Sequence, residues 1–323
     1  MRRRRLLVGA ASLAAAAGLA GCSGYLGERR GASGPGGSTP GETAGADGHR
    51  RAASRALATN NDAFADFAAA LRASDRETAA SFDAATVRRR VRTAQAELDR
   101  IRDAGDAVAA MRDVATAQLR GAALVADYAT ASRQYATVDA HGEAGAFDAA
   151  LAALDRVATT IDDARAEGEA AADVLSAVDE EAIAPVSVRV APLRRAVGTV
   201  RARVAVVAAV LPARRDFLRG SRSYVRASAA YEDGQYATAA ETFADAKNRF
   251  GAAADGFDGA SSPDGPGVGA DVDALRCRAR AFADAAAAFR RSATAYGDGD
   301  AARGDRLRRR ARDAADRCTT AGN

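Results

Sequence analysis

Tryptophan is absent from the 323-residue chain, histidine occurs twice, lysine once and cysteine three times. The two histidines, His49 and His141, form no His-x-His or His-Glu-x-x-His pair and no Cys-x-x-Cys occurs, so zinc and haem lack a donor set. Nor is there a Gly-x-Ser-x-Gly elbow, or a glycine-rich phosphate loop leading from a strand into a helix. His141 stands beside Gly142 with no nucleophile or orienting partner next to it, and reads as a solvated turn residue. Asp298 and Asp300 fall in a Gly-Asp-Gly-Asp stretch, with Asp305 shortly after it, and the set lacks the ligand spacing and closing glutamate of an EF-hand. They read as solvated turn acids. On these grounds the chain is not expected to be an enzyme: no catalytic residue, no metal and no cofactor is nominated.

Aromatic residues make up only 5% of the chain, while alanine is everywhere. Alanine is the best helix former and buries little area, so the expected core is helical and thin, with helices in close approach. The formal charge of +4 comes wholly from Arg2 to Arg5; the remainder carries 42 basic and 42 acidic residues. A neutral body lacks the phosphate-neutralising excess that nucleic acid demands, and no nucleic-acid partner is expected.

The N-terminus has three parts. Arg2 to Arg5 give a cationic start, Leu6 to Ala20 an apolar core, and Leu19-Ala20-Gly21-Cys22 a small-residue zone. These are the parts of a secretory signal peptide. The apolar core spans 15 residues, short of the about 20 that a helix needs to cross a bilayer, which disfavours a retained transmembrane helix. Leu19-Ala20-Gly21-Cys22 resembles the lipobox of prokaryotic lipoproteins, and Arg3-Arg4-Arg5-Leu6-Leu7 resembles a twin-arginine (Tat) export signal. A general secretory route fits such an n-region as well. The lipobox resemblance implies that the Cys22 thiol carries a diacylglyceryl group, that 1–22 is processed, and that the protein sits on the extracytoplasmic face of the cell membrane. A two-chain lipid is a stable anchor, where one acyl chain binds reversibly.

From Ser23 to Gly48 the chain is rich in Gly, Ser, Thr and Pro without apolar periodicity. It is read as a disordered tether with an r.m.s. reach of about 28 Å. Helical stripes follow. Val87, Val91, Ala94, Leu98 and Ile101 recur at alternating steps of four and three residues, and Leu193, Val197, Val200, Val204, Val207 and Leu211 do the same. Leu275, Phe282, Phe289 and Tyr296 recur every seven residues, with Ala279, Ala286 and Ala293 between them. Spacing near 3.5 means shallow packing angles. The expected fold is all-α: a multi-helix antiparallel bundle over 49–184 and a helical array over 193–320, with a loop at 258–270. Val186-Ser187-Val188-Arg189-Val190, between Pro185 and Pro192, reads as an extended linker and a soft boundary.

Ala230-Tyr231-Glu232-Asp233-Gly234-Gln235-Tyr236, followed by Ala239, Phe243 and Ala246, resembles the turn and second helix of a tetratricopeptide (TPR) repeat. The glycine permits a tight inter-helix turn. The echoes elsewhere, as at Phe147, are unevenly spaced, so no regular array is expected; the other reading is an alanine-rich hairpin. The resemblance, over residues 220–257, implies a protein-docking groove lined by Tyr224, Tyr231, Tyr236 and Phe243.

With Cys22 lipidated, Cys277 and Cys318 remain, an even number in an oxidising compartment. If the helices flanking Gly297–Gly304 fold back antiparallel, Cys277 faces about residue 322, one helical turn from Cys318. They are a candidate disulfide, the alternative being two buried thiols.

Basic clusters stand at Arg88-Arg89-Arg90-Arg92 and at Arg303, Arg306, Arg308, Arg309, Arg310 and Arg312. The second suits anionic headgroups, but Asp305, Asp313 and Asp316 among the arginines favour a solvated face with i,i+4 pairs. The resulting expectation is a membrane-anchored extracytoplasmic lipoprotein that binds or scaffolds another envelope protein. The alternative is a small-molecule-binding or sensory bundle.

Overall fold

Helix starts and stops in this protein are set by a few side chains. In the computed structural model, which describes residues 45–73, 82–101, 105–260 and 268–318, every regular element is helical. The expectation of an all-α bundle is met. The elements are α1 (Ala46–Arg72), α2 (Ala84–Asp99), α3 (Asp106–Glu143), α4 (Phe147–Ala177) and the one-turn α5 (Glu180–Ile183). A 3-10 turn (Ala184–Val186) leads to α6 (Val190–Glu232), α7 (Tyr236–Ala260), α8 (Val268–Gly297) and α9 (Ala301–Asp316). The lipobox Leu19-Ala20-Gly21-Cys22, the signal segment and most of the tether lie outside the described residues, as does most of the loop expected at 258–270.

Aspartates cap three helices. Asp83 accepts from the Thr86 amide, Asp179 from the amides of Glu181 and Ala182, and Asp300 from the Arg303 amide, each satisfying an orphan N–H of the first turn. The hairpins α6–α7 and α8–α9 close through one motif. Gly234 and Gly299 sit at φ +75° and +83°, and the next amide reaches back five residues, Gln235 to the Ala230 carbonyl and Asp300 to the Ala295 carbonyl. This is the Schellman closure, which wants a residue free of the Cβ penalty in the left-handed region.

The described residues fall into two compact units. One comprises 45–129 and 163–202, the other 130–162 and 203–318. The division therefore falls inside α3, α4 and α6, where the sequence suggested a boundary at 185–192. That stretch is not an extended linker. It is the 3-10 turn with Pro185, a left-handed Ser187 at φ 59°, and the start of α6 with Pro192 in its first turn, while Val188 and Val190 are buried. α2 ends at Asp99 and α3 begins at Asp106, a stop and a start that the sequence did not signal.

The first unit is built on Leu57, Phe64, Val91, Leu98, Met111, Leu124, Leu175 and Val197, all buried. Close approach needs missing side chains: a Cβ on Gly168 would lie 2.8 Å from the Arg201 side chain. Within the second unit three helices present an aromatic residue every seventh position: Phe217, Tyr224 and Tyr231 on α6; Tyr236, Phe243, Phe250 and Phe257 on α7; Phe282, Phe289 and Tyr296 on α8. Seven-residue recurrence keeps one stripe facing the partner helices, and small residues between the rings let the backbones close. A Cβ on Gly220 would lie 3.0 Å from the Phe250 ring, and one on Gly256 2.8 Å from the Ala213 Cβ.

α6 carries an apolar run of mean hydropathy 1.6, long and apolar enough by composition to cross a membrane. Arg201 and Arg203 fall inside it, residues costly at bilayer depth, and Val197, Val200, Val204 and Leu211 are buried within the fold.

Candidate functional site

The four aromatic residues expected to line a groove do not line one. They fill a seam between α6, α7 and α8. Tyr224 packs edge-on to Phe243, Phe282 and Phe289, and Tyr231 to Tyr236, Phe289 and Tyr296. Phe243 stacks on Phe289 with ring centroids 5.2 Å apart, and Tyr236 on Tyr296 at the same distance. Phe243 is fully buried. The heptad on α8 supplies the rings that occupy the space a docked peptide would need; the hairpin closes on its own neighbour. Burial pushes the Tyr224 hydroxyl far above the usual tyrosine range.

At the open end of the seam the hydroxyls find partners. Tyr231 and Ser292 share a hydrogen bond at 2.7 Å, Ser292 donates to the Gly304 carbonyl at 2.7 Å, and Tyr296 donates to Asp305 at 2.6 Å. That last bond holds the Asp305 carboxyl below its ordinary range and pushes the Tyr296 hydroxyl up to about 12. These bonds join α9 to the seam, and Cys277 is disulfide-bonded to Cys318, Cα atoms 6.0 Å apart, at its other end. α9 otherwise buries only Gly304, Ala311 and Ala314.

On the outer side of α7, α8 and α9 lies a depression of about 460 Å³. Ala240, Ala244 and Ala295 give it an apolar floor; Arg290, Arg291 and Arg303 stand around it with Glu241 and Asp298. The three arginines are exposed and form no ion pair among the described residues. The arginines of α9 were expected to pair at i,i+4, yet the pair seen within this helix is Arg308 to Asp305 at i,i+3. Arg303, Arg306, Arg309 and Arg310 are exposed and carry none among the described residues.

Two polar features in the interior were not nominated from sequence. In the second unit Arg214 and Asp139 form a buried ion pair at 2.5 Å. The Arg214 guanidinium also lies 5.5 Å from the Phe217 ring centroid and 6.0 Å from that of Tyr135, close enough for cation–π attraction. In the first unit Asn60, Asn61 and Gln118 form an amide relay. Asn60 donates to Gln118 at 3.0 Å and to the Val87 carbonyl at 3.2 Å. Gln118 donates to Asn61 and to the Leu57 carbonyl, both at 2.7 Å, and Asn61 to the Arg189 carbonyl at 2.7 Å. Ser54 donates to the Val186 carbonyl. Together these bonds fix the 184–189 segment against α1. His49, placed by sequence at the edge of the tether, lies inside α1 and bonds Glu97 of α2 at 2.6 Å, which holds the Glu97 carboxyl below its ordinary value.

No protein-family model, curated protein or solved structure matched the chain.

Proposed function

We propose that the protein is a non-enzymatic, lipid-anchored module of the extracytoplasmic membrane face, a rigid helical body held on a tether that binds or scaffolds another envelope protein. The observation that carries this reading is the disulfide between Cys277 and Cys318. Disulfides persist in oxidising, extracytoplasmic compartments. The bond also consumes the two other cysteines, leaving Cys22 as the odd one, directly behind Leu19-Ala20-Gly21 at the end of an apolar run. Because the aromatic rings seal the α6–α7–α8 seam, docking falls to polar outer faces of the helices instead of the tetratricopeptide-like hairpin.

Mass spectrometry of the membrane fraction tests the anchor. A mature N-terminus at Cys22 bearing a diacylglyceryl mass, lost with release of the protein on Cys22→Ser, is expected; an unprocessed Met1 species in the wild type would refute it. Crosslinking on intact cells followed by pull-down tests the scaffold, which fails if no envelope protein is captured reproducibly. The depression beside Arg290, Arg291 and Arg303 favours a second reading, a small anionic ligand, since its volume lies in the range of ligand sites.

A further inference from the structure

Residues 275–318 hold twelve arginines against six aspartates, leaving 30 basic against 36 acidic residues in the rest of the chain beyond residue 22. The sequence is therefore polarised although its total is balanced. The structure sorts those arginines. Arg276 and Arg280 are tied to Asp258, Arg317 to Asp284 and Arg308 to Asp305. Arg303, Arg306 and Arg310, at three- and four-residue spacing on α9, are exposed and unpaired among the described residues, with Arg309 beside them. Arg290 and Arg291 of α8 line the same depression as Arg303, where the three outnumber the two carboxylates, Glu241 and Asp298.

The chemistry of its neighbours decides what such a face fits. A protein interface is centred on desolvated anchors, aromatic side chains or single arginines seated in pockets of the partner, within a patch otherwise poor in charge. No aromatic ring stands among these arginines, and their one long apolar neighbour on α9, Leu307, is half-buried. The large apolar side chain that is exposed among the described residues is Val225, which belongs to α6 and not to α8 or α9. A surface of fixed anionic groups needs no apolar anchor: it rewards a broad field of unpaired cations, each adding to adsorption within a Debye length. Arginine also offers a planar donor fork that matches a phosphate.

We propose that the Arg290, Arg291, Arg303, Arg306, Arg309 and Arg310 face adsorbs on anionic phospholipid headgroups. This rests on the lipid-anchor reading, which brings the face within a tether's reach of the membrane. Adsorption is peripheral, reversible and salt-sensitive, and a phosphodiester seats between Arg290, Arg291 and Arg303 over the alanine floor of the depression.

The test uses the mature chain 22–323 with Cys22→Ser, so that no acyl group contributes. It is sedimented with vesicles of equimolar phosphatidylglycerol and phosphatidylcholine, and with phosphatidylcholine alone. The chain is expected to bind the anionic vesicles at low salt, to be released by molar salt, and to ignore neutral vesicles. The α9 triple variant Arg306→Gln, Arg309→Gln, Arg310→Gln is expected to lose at least about tenfold in partitioning. The α2 triple Arg89→Gln, Arg90→Gln, Arg92→Gln, which removes the same charge elsewhere, is expected to lose less than about twofold. Unchanged helicity and an intact Cys277–Cys318 bond show that each variant is folded. Equal losses in the two triples, no binding to anionic vesicles, or preferential capture by an acidic polypeptide would each overturn the proposal. Failure of the anchor reading shows separately, as absence of the diacylglyceryl mass on Cys22, whatever the vesicles do.

Discussion

Arg214 of α6 donates to Asp139 of α3 at 2.5 Å, with both side chains buried and with the Asp139 Oδ2 and Arg214 Nε atoms lacking any partner among the described residues. A buried pair with unsatisfied atoms returns little net stability, because desolvation consumes most of the attraction. Burial is the larger influence on Asp139 and pushes its carboxyl up, with Arg214 opposing.

Breaking the pair on one side is expected to cost far more than removing it. Arg214→Met leaves a buried carboxylate and should destabilise the fold by about 3 to 5 kcal/mol, whereas Arg214→Met with Asp139→Leu should recover most of that. A raised carboxyl pKa adds stability at low pH that is lost as pH rises through the folded value. The single variant should therefore regain stability relative to the wild type as pH falls. Urea midpoints for the three proteins at two pH values decide it; a double variant as unstable as the single contradicts this account.

Gly304 is where α9 passes over Tyr296, and a Cβ there would lie 2.6 Å from the ring. Tyr296 cannot yield freely, since it stacks on Tyr236 and bonds Asp305. Gly304→Ala should cost about 1 to 3 kcal/mol as an overpacked contact. Gly251→Ala on α7, with nothing within 4 Å of the added methyl, should be neutral or mildly stabilising through helix propensity. If both alanine variants melt with the wild type, the close approach of α9 is wrong.

The helical class, the hairpin turns and the recurrent rings of α8 were legible because each depends on local pattern: apolar period, a glycine in the left-handed region, a spacing of seven. The role of the rings was not. Tyr224, Tyr231, Tyr236 and Phe243 carry the same spacing whether they face a peptide or Phe282 and Phe289, and which one occurs is decided by a helix that follows later in the chain. The buried polar groups did leave a signal. Arg214 continues the stripe Val204, Val207, Leu211, Asp139 sits four residues beyond Tyr135, and Asn60, Asn61 and Gln118 occupy apolar-phase positions. Charges of opposite sign, or amides, on two core stripes are candidates for one another, although pairing them requires the packing. The grouping into units was invisible, since its limits fall inside uninterrupted helices.

α9 is held with little apolar burial. Its buried residues are glycine and alanine, so its docking rests on the Cys277–Cys318 bond, 41 residues apart in sequence, together with the hydrogen bonds through Ser292 and Asp305. Closing such a loop restricts the unfolded chain by about 4 kcal/mol in the chain-entropy description. Cys318→Ser is expected to lower stability by about that amount in urea, with α9 amides losing hydrogen-exchange protection before those of α7 and α8. Equal protection of α9 in the reduced and oxidised protein would show that the polar bonds through Ser292 and Asp305 suffice.

Gln118 stands at the centre of the first unit's amide relay, accepting from Asn60 and donating to Asn61 and the Leu57 carbonyl while fully buried. Gln118→Met keeps the length and the helix propensity but strands three partners. Unsatisfied buried groups cost about 1 to 3 kcal/mol each, with part of this relieved by repacking, so the variant should lose about 3 kcal/mol or more in urea. The loss should also be local. Asn61 holds the Arg189 carbonyl, and once its own acceptor is freed it can turn away. Exchange of amides near 187–190 should then rise more than that of α2, where His49 still bonds Glu97. Uniform exchange across the unit would mean that the relay is ordinary core filling, with no special hold on the turn before α6.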